Sequence, residues 1–323
     1  MDAKPYLVDD GTIPQAPDPS HRDAWLSRRK LLEAAGERST PLGCRPGVLG
    51  RLFNMIYPVF SVALRACGLY RAGVRNALDL RLREIELEFA DLPAAFDGYR
   101  ILHMTDLHID CLPGLADTVA TLTRGVSVDA CFITGDYQEG HGGPADPIID
   151  HLKVALADID ARDGIFAILG NHDEGEFGLA LERRMDLRLL INEKILIRRG
   201  SDRVLLAGTD DVSFFYSEGA DAVLASTDGE FGIALVHSPE MAEAAAAGGY
   251  SLYLSGHTHG GQVSLPGGRP VVTRLIRNRE LAAGLWSCGD MTGYTGPGVG
   301  VTAVPVRFFT RGEVTVLTLR GAR

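Results

Sequence analysis

Short apolar runs alternate with amphipathic stretches over the C-terminal two thirds of the chain. Residues 100–105, 130–134 and 165–169 are apolar runs of the length of a buried strand. An amphipathic stretch begins after Pro113 and another spans residues 148–159, which predicts a helix between each pair of strands. This βαβαβ order predicts parallel strands with right-handed crossovers, and therefore the α/β class.

Further apolar runs follow without amphipathic stretches between the last of them. Strands are predicted at residues 194–197, 204–207, 233–236, 252–255, 304–309 and 314–319. Because the late strands lack intervening helices, we expect a second, more mixed sheet that packs on the first.

The first part of the chain has a different pattern. Residues 1–24 contain several prolines and aspartates without periodicity, which predicts a flexible tail. The string Ser27-Arg28-Arg29-Lys30 superficially resembles a twin-arginine export motif. Export requires an apolar stretch directly afterwards, but residues 33–38 are Glu-Ala-Ala-Gly-Glu-Arg, so we predict no cleaved signal.

Residues 49–67 carry apolar side chains at three- and four-residue steps, which predicts an amphipathic helix with a kink at Pro58. The stretch between Arg51 and Arg65 is too short to span a bilayer, which needs about 20 apolar residues. Four arginines follow, at positions 71, 75, 81 and 83. Two interpretations stay open: residues 49–83 lie on an anionic membrane surface, or the helix docks on the catalytic domain or on a partner subunit.

The distribution of charge also separates the first part of the chain from the remainder. Residues 21–83 contain twelve Lys or Arg against four Asp or Glu, a balance of +8, whereas the whole chain has a net charge of −10. The predicted organisation is a tail at 1–24, a basic amphipathic helical extension at 25–95 and a catalytic domain at 96–323. The acidic balance of the catalytic part argues against nucleic acid as a partner.

Five cysteines without C-x-x-C spacing indicate a reducing compartment. A cytoplasmic location is therefore predicted, peripheral to the inner face of the membrane if the helix binds lipid.

Polar residues cluster where the apolar runs end. The strings are Thr105-Asp106-Leu107-His108, Gly135-Asp136-Tyr137-Gln138-Glu139, Gly170-Asn171-His172-Asp173, His237-Ser238-Pro239 and Gly256-His257-Thr258-His259-Gly260-Gly261-Gln262. The carboxyl ends of strands are where open α/β sheets bind ligands, so these five loops are expected to converge. Each string alone is compatible with an ordinary turn, but all five at strand ends are not expected by accident.

Convergence would gather carboxylates and imidazoles whose burial is costly unless they bind cations. The set contains oxygen and imidazole donors but no thiolate, which predicts divalent metal ions of the manganese, iron or zinc type.

The motifs D-x-H, G-D-x-x-E, G-N-H-D, a single H and G-H-x-H, in this order, resemble those of the calcineurin-like metallophosphoesterases, and the resemblance covers about residues 98–320. It implies a four-layer α/β/β/α sandwich of two mixed sheets, preceded here by the helical extension, with two metal ions in the cleft. By the motifs, Asp106, His108 and His259 would hold the first ion, Asn171, His237 and His257 the second, and Asp136 would bridge them. His172 would donate to the leaving oxygen and Glu139 would orient it.

The implied reaction is hydrolysis of a phosphodiester or diphosphate by a metal-bridging hydroxide, without a covalent intermediate. The string at 256–262, with Leu265-Pro266 and Pro305-Val306-Arg307, is similar to bacterial phosphodiesterases that include membrane-associated members and enzymes acting on a UDP-linked acylated glucosamine. A lipid- or nucleotide-linked substrate is therefore expected, although the arginine that such relatives carry near residues 295–300 is absent. Gly140, in place of the arginine of serine/threonine protein phosphatases, argues against a protein substrate.

Arg307 is a candidate to hold a substrate phosphate, because guanidinium groups match phosphate oxygens; alternatively it pairs with an acid on a strand.

Two alternative functions use the same fold: a phosphomonoesterase with the same site, and a scaffold that has lost catalysis. Retention of every ligand and of His172 argues against the scaffold. The sequence leaves the oligomeric state open.

Overall fold

The computed structural model describes residues 6–9, 19–35, 48–140 and 142–322 of the chain. Its strands, numbered along the chain, are β1 (Tyr6–Asp9), β2 (Arg81–Phe89), β3 (Arg100–Met104), β4 (Ser127–Val128), β5 (Ala130–Thr134), β6 (Asp160–Ala161), β7 (Ile165–Ile168), β8 (Arg188–Leu189), β9 (Glu193–Arg199), β10 (Asp202–Gly208), β11 (Phe231–Leu235), β12 (Leu252–Ser255), β13 (Ser264–Leu265), β14 (Arg269–Pro270), β15 (Gly284–Cys288), β16 (Met291–Thr295) and β17 (Glu313–Gly321).

The helices alternate with these strands. They are α1 (Pro19–Ala35), α2 (Val48–Ala66), α3 (Tyr70–Leu78), α4 (Leu115–Thr123), α5 (Ala145–Leu156), α6 (Gly175–Arg184), α7 (Glu218–Leu224) and α8 (Ala242–Ala247), with short 3-10 turns at Ala94–Phe96, Pro239–Met241, His259–Gly261 and Arg279–Leu281.

One large sheet has the strand order β2-β17-β3-β5-β7-β8. Strands β3, β5 and β7 are parallel to one another, as the βαβαβ pattern predicts. All five residues of β5 are buried, which explains why a central parallel strand appears in the sequence as a continuous apolar run. The C-terminal strand β17 lies between β3, to which it is antiparallel, and β2, to which it is parallel.

The other large sheet has the order β1-β9-β10-β11-β12-β16-β15 and mixes parallel and antiparallel pairs. The two sheets face each other across an apolar layer that includes Phe132, Phe166, Leu206, Ile233 and Leu254. Helices α4, α5 and α6 cover the outer face of the first sheet, and α7 and α8 cover the outer face of the second. The four-layer α/β/β/α sandwich is therefore confirmed, and the carboxyl ends of strands from both sheets open onto one cleft.

The predicted strand at residues 304–309 is wrong. Pro305 has no N–H to donate to a ladder, and the N–H of Arg307 donates to the carbonyl of Gly73 in α3 at 3.0 Å. A single bridge between Val263 and Phe308 is the β-pairing of this segment. Val304 and Val306 of this segment are buried against residues of α2 and α3, so burial of alternate side chains does not identify a strand here.

Regular structure also occurs where the sequence predicts a tail or a helical extension. Tyr6–Asp9 pairs with β9, and α1 begins at Pro19, both inside the segment 1–24; the remainder of that segment before Pro19 lies outside the described residues. Strand β2 lies inside the segment 25–95, yet it pairs with β17 along its whole length. Its backbone therefore belongs to the first large sheet.

Helix α2 includes Pro58, as predicted, and one of its faces docks on the sandwich. Tyr57, Phe60 and Leu64 pack with Val304 and Val306. This face of the helix therefore docks on the catalytic domain, as one of the two interpretations predicts. None of the helices in the described parts of the chain combines the length and apolar character needed to cross a bilayer.

Candidate metal centre

The five predicted loops meet at the cleft, and their backbone is unusual. Asp106, His108, Asp136, His257 and His259 all have φ values between +36° and +71°. Residues other than glycine rarely adopt this left-handed region, and such strain concentrates at functional sites. The turns that follow β3, β5 and β12 are therefore shaped to point particular side chains into the cleft.

A first group of donor atoms comes from Asp106, His108, Asp136 and His259, and these atoms lie within 4.8 Å of one another. Nε2 of His259 is 3.3 Å from Oδ1 of Asp106, and Nε2 of His108 is 3.6 Å from Oδ2 of Asp136. All four side chains are buried. The spacing is that of ligands around one cation.

A second group consists of Asp136, His237 and His257, again within 4.8 Å. Nε2 of His237 is 3.2 Å from Oδ2 of Asp136. The side-chain oxygen of Asn171 lies 2.7 Å from Nδ1 of His257, so it belongs with this group. Asp136 is the member that both groups share.

The chemistry of these donors fits metal ions. Among the described residues, Nε2 of His108 and Nδ1 of His259 are buried without a hydrogen-bond partner, which is costly for a polar atom. Burial lowers the pKa of His108 and of His257 to about 3, so both rings are neutral and offer a lone pair.

The carboxylates need a positive charge beside them. Burial raises the pKa of Asp106 to about 6. Burial acts against protonation of His237, but the carboxylate of Asp136 holds its pKa well above the usual value. Divalent ions of the manganese, iron or zinc type are the cations that this set of oxygen and imidazole donors would bind.

Backbone carbonyls orient two of the imidazoles. Nδ1 of His108 is 2.9 Å from the carbonyl oxygen of Gln138, and Nδ1 of His237 is 2.7 Å from that of Thr134. Such contacts fix the ring and direct its other nitrogen, Nε2, toward the cleft, as in metal sites where a second contact sets the tautomer.

His172 and Glu139 lie at the mouth of the same cleft. Nδ1 of His172 is 3.0 Å from the carbonyl oxygen of Glu139 and 3.6 Å from its carboxylate, and the side chain keeps 18% of its surface exposed. One oxygen of Glu139 accepts hydrogen bonds from Thr302 and from the N–H of Ala303, and the other is 3.2 Å from Nδ1 of His108. Glu139 therefore contacts both His172 and a candidate ligand, and His172 is accessible from solvent.

Arg307, the candidate residue for a substrate phosphate, is engaged by the protein backbone. Its side chain is fully buried. The guanidinium donates to backbone carbonyl oxygens of His259, Pro297, Gly298, Gly300 and Arg311. These bonds fix the loop that carries His259, so Arg307 contributes to the shape of the site, and a phosphate would have to displace them.

Asp173 has a role that the sequence does not assign. Its buried carboxylate accepts hydrogen bonds from the N–H groups of Asp136, Tyr137 and Gly170, at 2.7, 2.9 and 2.8 Å. It thereby ties the turn after β7 to the turn after β5. The feature of the sequence that could have indicated this role is the position of Asp173 directly after Asn171-His172. An aspartate in a turn, however, has no distinguishing pattern of its own.

Two glycines permit the close packing of these turns. A Cβ atom on Gly256 would lie 1.9 Å from Oγ1 of Thr105 and 2.2 Å from Oδ2 of Asp106. A Cβ on Gly170 would lie 2.2 Å from Oδ1 of Asp136. Side chains at either position would displace the carboxylates at the centre of the site.

A four-layer sandwich with two donor groups that share one carboxylate is the arrangement of the metal-dependent phosphoesterases. The family model for calcineurin-like phosphoesterases matches residues 99–261, half of the chain, and the chain belongs to that family. The predicted family is therefore confirmed, whereas the bacterial sub-branch stays a prediction.

Several curated proteins are similar over most of the chain. An uncharacterized metallophosphoesterase of Bacillus subtilis, YkuE, is 29% identical over 71% of this chain and 82% of its own length. The phosphodiesterase YaeI of Escherichia coli is 27% identical over 68% of this chain and 82% of its own. A transmembrane protein with a metallophosphoesterase domain from Danio rerio is 27% identical, over 82% of this chain and 62% of its own.

Among solved structures, the NAD nucleotidase NadN of Haemophilus influenzae is similar in fold. It is 15% identical, with a TM-score of 0.43, over 68% of this chain and 50% of that one.

Proposed function

We propose that this chain hydrolyses a phosphodiester or diphosphate bond at a dinuclear metal site. The observation that carries the proposal is Asp136, whose carboxylate belongs to both donor groups. Two bound divalent ions would supply a polarised phosphoryl group and a water of lowered pKa. Asp106, His108 and His259 would hold one ion, Asn171, His237 and His257 the other, with Asp136 between them.

His172 has the second role in this proposal. Its ring is partly exposed at the mouth of the cleft and is held through Nδ1 by Glu139. A histidine in this position can donate a proton to the departing oxygen, which is general acid catalysis. Its backbone N–H donates to Asp136 at 2.8 Å, so the acid and the bridging carboxylate are fixed relative to each other.

The type of bond can be tested with two model substrates. We expect hydrolysis of bis(p-nitrophenyl) phosphate to stop when the protein is treated with a chelator and to return with added Mn²⁺. We further expect kcat/KM for this diester to exceed that for p-nitrophenyl phosphate by about tenfold or more, a difference of about 1.4 kcal/mol in transition-state binding. A faster monoester reaction would support the phosphomonoesterase instead, and hydrolysis without metal would contradict the proposed site.

We also propose that the substrate is lipid- or nucleotide-linked and reaches the enzyme at an anionic membrane surface, with the protein peripheral on the cytoplasmic face. Ile56, Val59 and Val62 of α2 point away from the sandwich, with Val59 and Val62 68% and 65% exposed. The exposed arginines Arg65 and Arg71 lie in and after the same helix. An apolar face with a basic flank suits a surface of anionic lipid.

Arg274 contacts this helix. Its guanidinium donates to the hydroxyl of Tyr57 in α2 at 2.7 Å. Burial is the main cause of the low pKa of His257, and the positive charge of Arg274 contributes to it. A lipid surface on α2 would thus lie next to an arginine whose charge acts on the candidate metal ligand His257, which supports delivery of the substrate from the membrane.

Vesicle binding tests this surface. In Val59→Asp/Val62→Asp we expect affinity for vesicles of phosphatidylglycerol and phosphatidylcholine to fall by about tenfold or more, because burial of a valine contributes about 1.5 to 3 kcal/mol. The control is Val154→Asp, since Val154 is also exposed but lies on α5. Co-sedimentation measures the binding, and equal affinities for the three proteins would exclude this face as the contact.

A further inference from the structure

Helix α1 is held to the sandwich by two buried arginines. Arg22 and Arg29 are 6% and 1% exposed, although guanidinium groups are rarely buried without full pairing. Arg22 is bound by Glu182, Glu193 and the carbonyl oxygen of Leu189. These partners lie at the end of α6, at the start of β9 and in β8.

Arg29 has different partners. Its Nη1 pairs with the carboxylate of Asp210, which follows β10, and its Nε is 3.2 Å from Oε1 of Glu33. Its Nη2 donates to the carbonyl oxygen of Asp173 at 2.6 Å and lies 3.4 Å from that of Gly170. The guanidinium also stacks on Phe215, 3.4 Å from the ring centre. Two of its contacts are thus with the turn that carries a candidate metal ligand.

That turn, residues 170–173, is held from two sides. On the inner side the carboxylate of Asp173 binds the N–H groups of Gly170 and Asp136. On the outer side Arg29 binds two carbonyl groups of the turn, and Glu33, also in α1, accepts from the N–H of Gly175 at 2.9 Å. Asn171 and His172 lie between these two sets of contacts.

We propose that Arg29 is a positioning residue that holds the 170–173 turn, and with it Asn171 and His172, in the geometry required for metal binding and proton donation. This inference rests on the function proposed above. Arg29 lies outside the residues 99–261 that match the family model. A lysine could not replace it, because an ammonium group cannot pair with Asp210 and span two carbonyls in one plane.

The test compares Arg29→Lys and Arg29→Ala with Arg22→Ala in the full chain. The control removes the other buried arginine of the same helix, whose partners are not in the turn. Calorimetric titration with Mn²⁺ measures metal affinity, kcat and KM are measured on bis(p-nitrophenyl) phosphate, and thermal melting reports stability.

For both Arg29 variants we expect the weaker of the two Mn²⁺ affinities to fall by about 10- to 100-fold, as when a group that orients a ligand is lost. We expect kcat to fall in parallel with little change in KM, while Arg22→Ala lowers the melting temperature with Mn²⁺ affinity unchanged. If Arg29→Ala does not fold, Arg29→Lys decides.

Arg29 variants that melt earlier but keep the Mn²⁺ affinity and kcat of the unmodified protein would overturn the inference, because Arg29 would then only fasten the helix. Failure of the proposed function is a separate result: the unmodified protein would bind no Mn²⁺ or hydrolyse no phosphate ester.

Discussion

Replacing Asp136 by asparagine should lower kcat for bis(p-nitrophenyl) phosphate by about 1000-fold, because the loss of metal-derived stabilisation is several kcal/mol and each 1.4 kcal/mol is tenfold in rate. Asp136 is the residue common to both donor groups, and an amide cannot provide the charge or the second anionic oxygen. The substitution keeps the size of the side chain and an oxygen able to accept from the N–H of His172. We therefore expect the fold to persist while the bound metal falls to one ion or fewer per chain.

Metal analysis and steady-state kinetics on the same preparation measure this effect. Asp117→Asn is a suitable control, since it makes the same chemical change at an exposed position in the first turn of α4. An Asp136→Asn protein with two bound ions and normal kcat would show that Asp136 does not bridge the metals.

The second large effect is expected for His172→Ala. Loss of a general acid typically costs about 100- to 10,000-fold, and the cost depends on how poor the leaving group is. p-Nitrophenolate leaves readily without a proton, so hydrolysis of its diester should fall less than hydrolysis of a diester with an alkyl leaving group. Because the side chain of His172 lies outside the two groups of metal donors that share Asp136, we expect both ions to stay bound.

The comparison of the two leaving groups separates proton donation from a structural role. His151→Ala is the matched control, because His151 is exposed on α5. If His172→Ala slowed both substrates equally, the imidazole would act on binding or on the architecture of the mouth, and its role as the acid would be excluded.

The interior of the fold could be predicted from the sequence because local pattern and burial agree there. Strands β3, β5 and β7 are buried on both faces, so their apolar runs are continuous and end abruptly at polar turns. Three of the five motifs lie at those ends, and the other two follow β11 and β12 of the second sheet. Parallel topology is sufficient to bring several of them together.

What could not be predicted depends on contacts between distant segments. Residues 304–309 have the burial of a strand, but helix α3 and a proline take the place of a ladder. The sequence presents Arg307 as a candidate for a substrate phosphate and Arg29 as part of a basic string. Only tertiary structure shows that the first binds backbone carbonyls beneath His259 and that the second reaches the turn of Asn171. The sequence around an arginine does not indicate which distant group its guanidinium will bind.

The position of β17 between β2 and β3 affects how the molecule is made. The ribosome synthesises residues 100–168, which contain β3, β5 and β7, long before residues 313–321. Until then one edge of β3 lacks its partner and β2 has no strand to join, which leaves an open edge prone to pairing with other chains. Completion of this sheet must wait until β17 emerges, so nascent chains of this protein are expected to depend on chaperones until that strand has been synthesised.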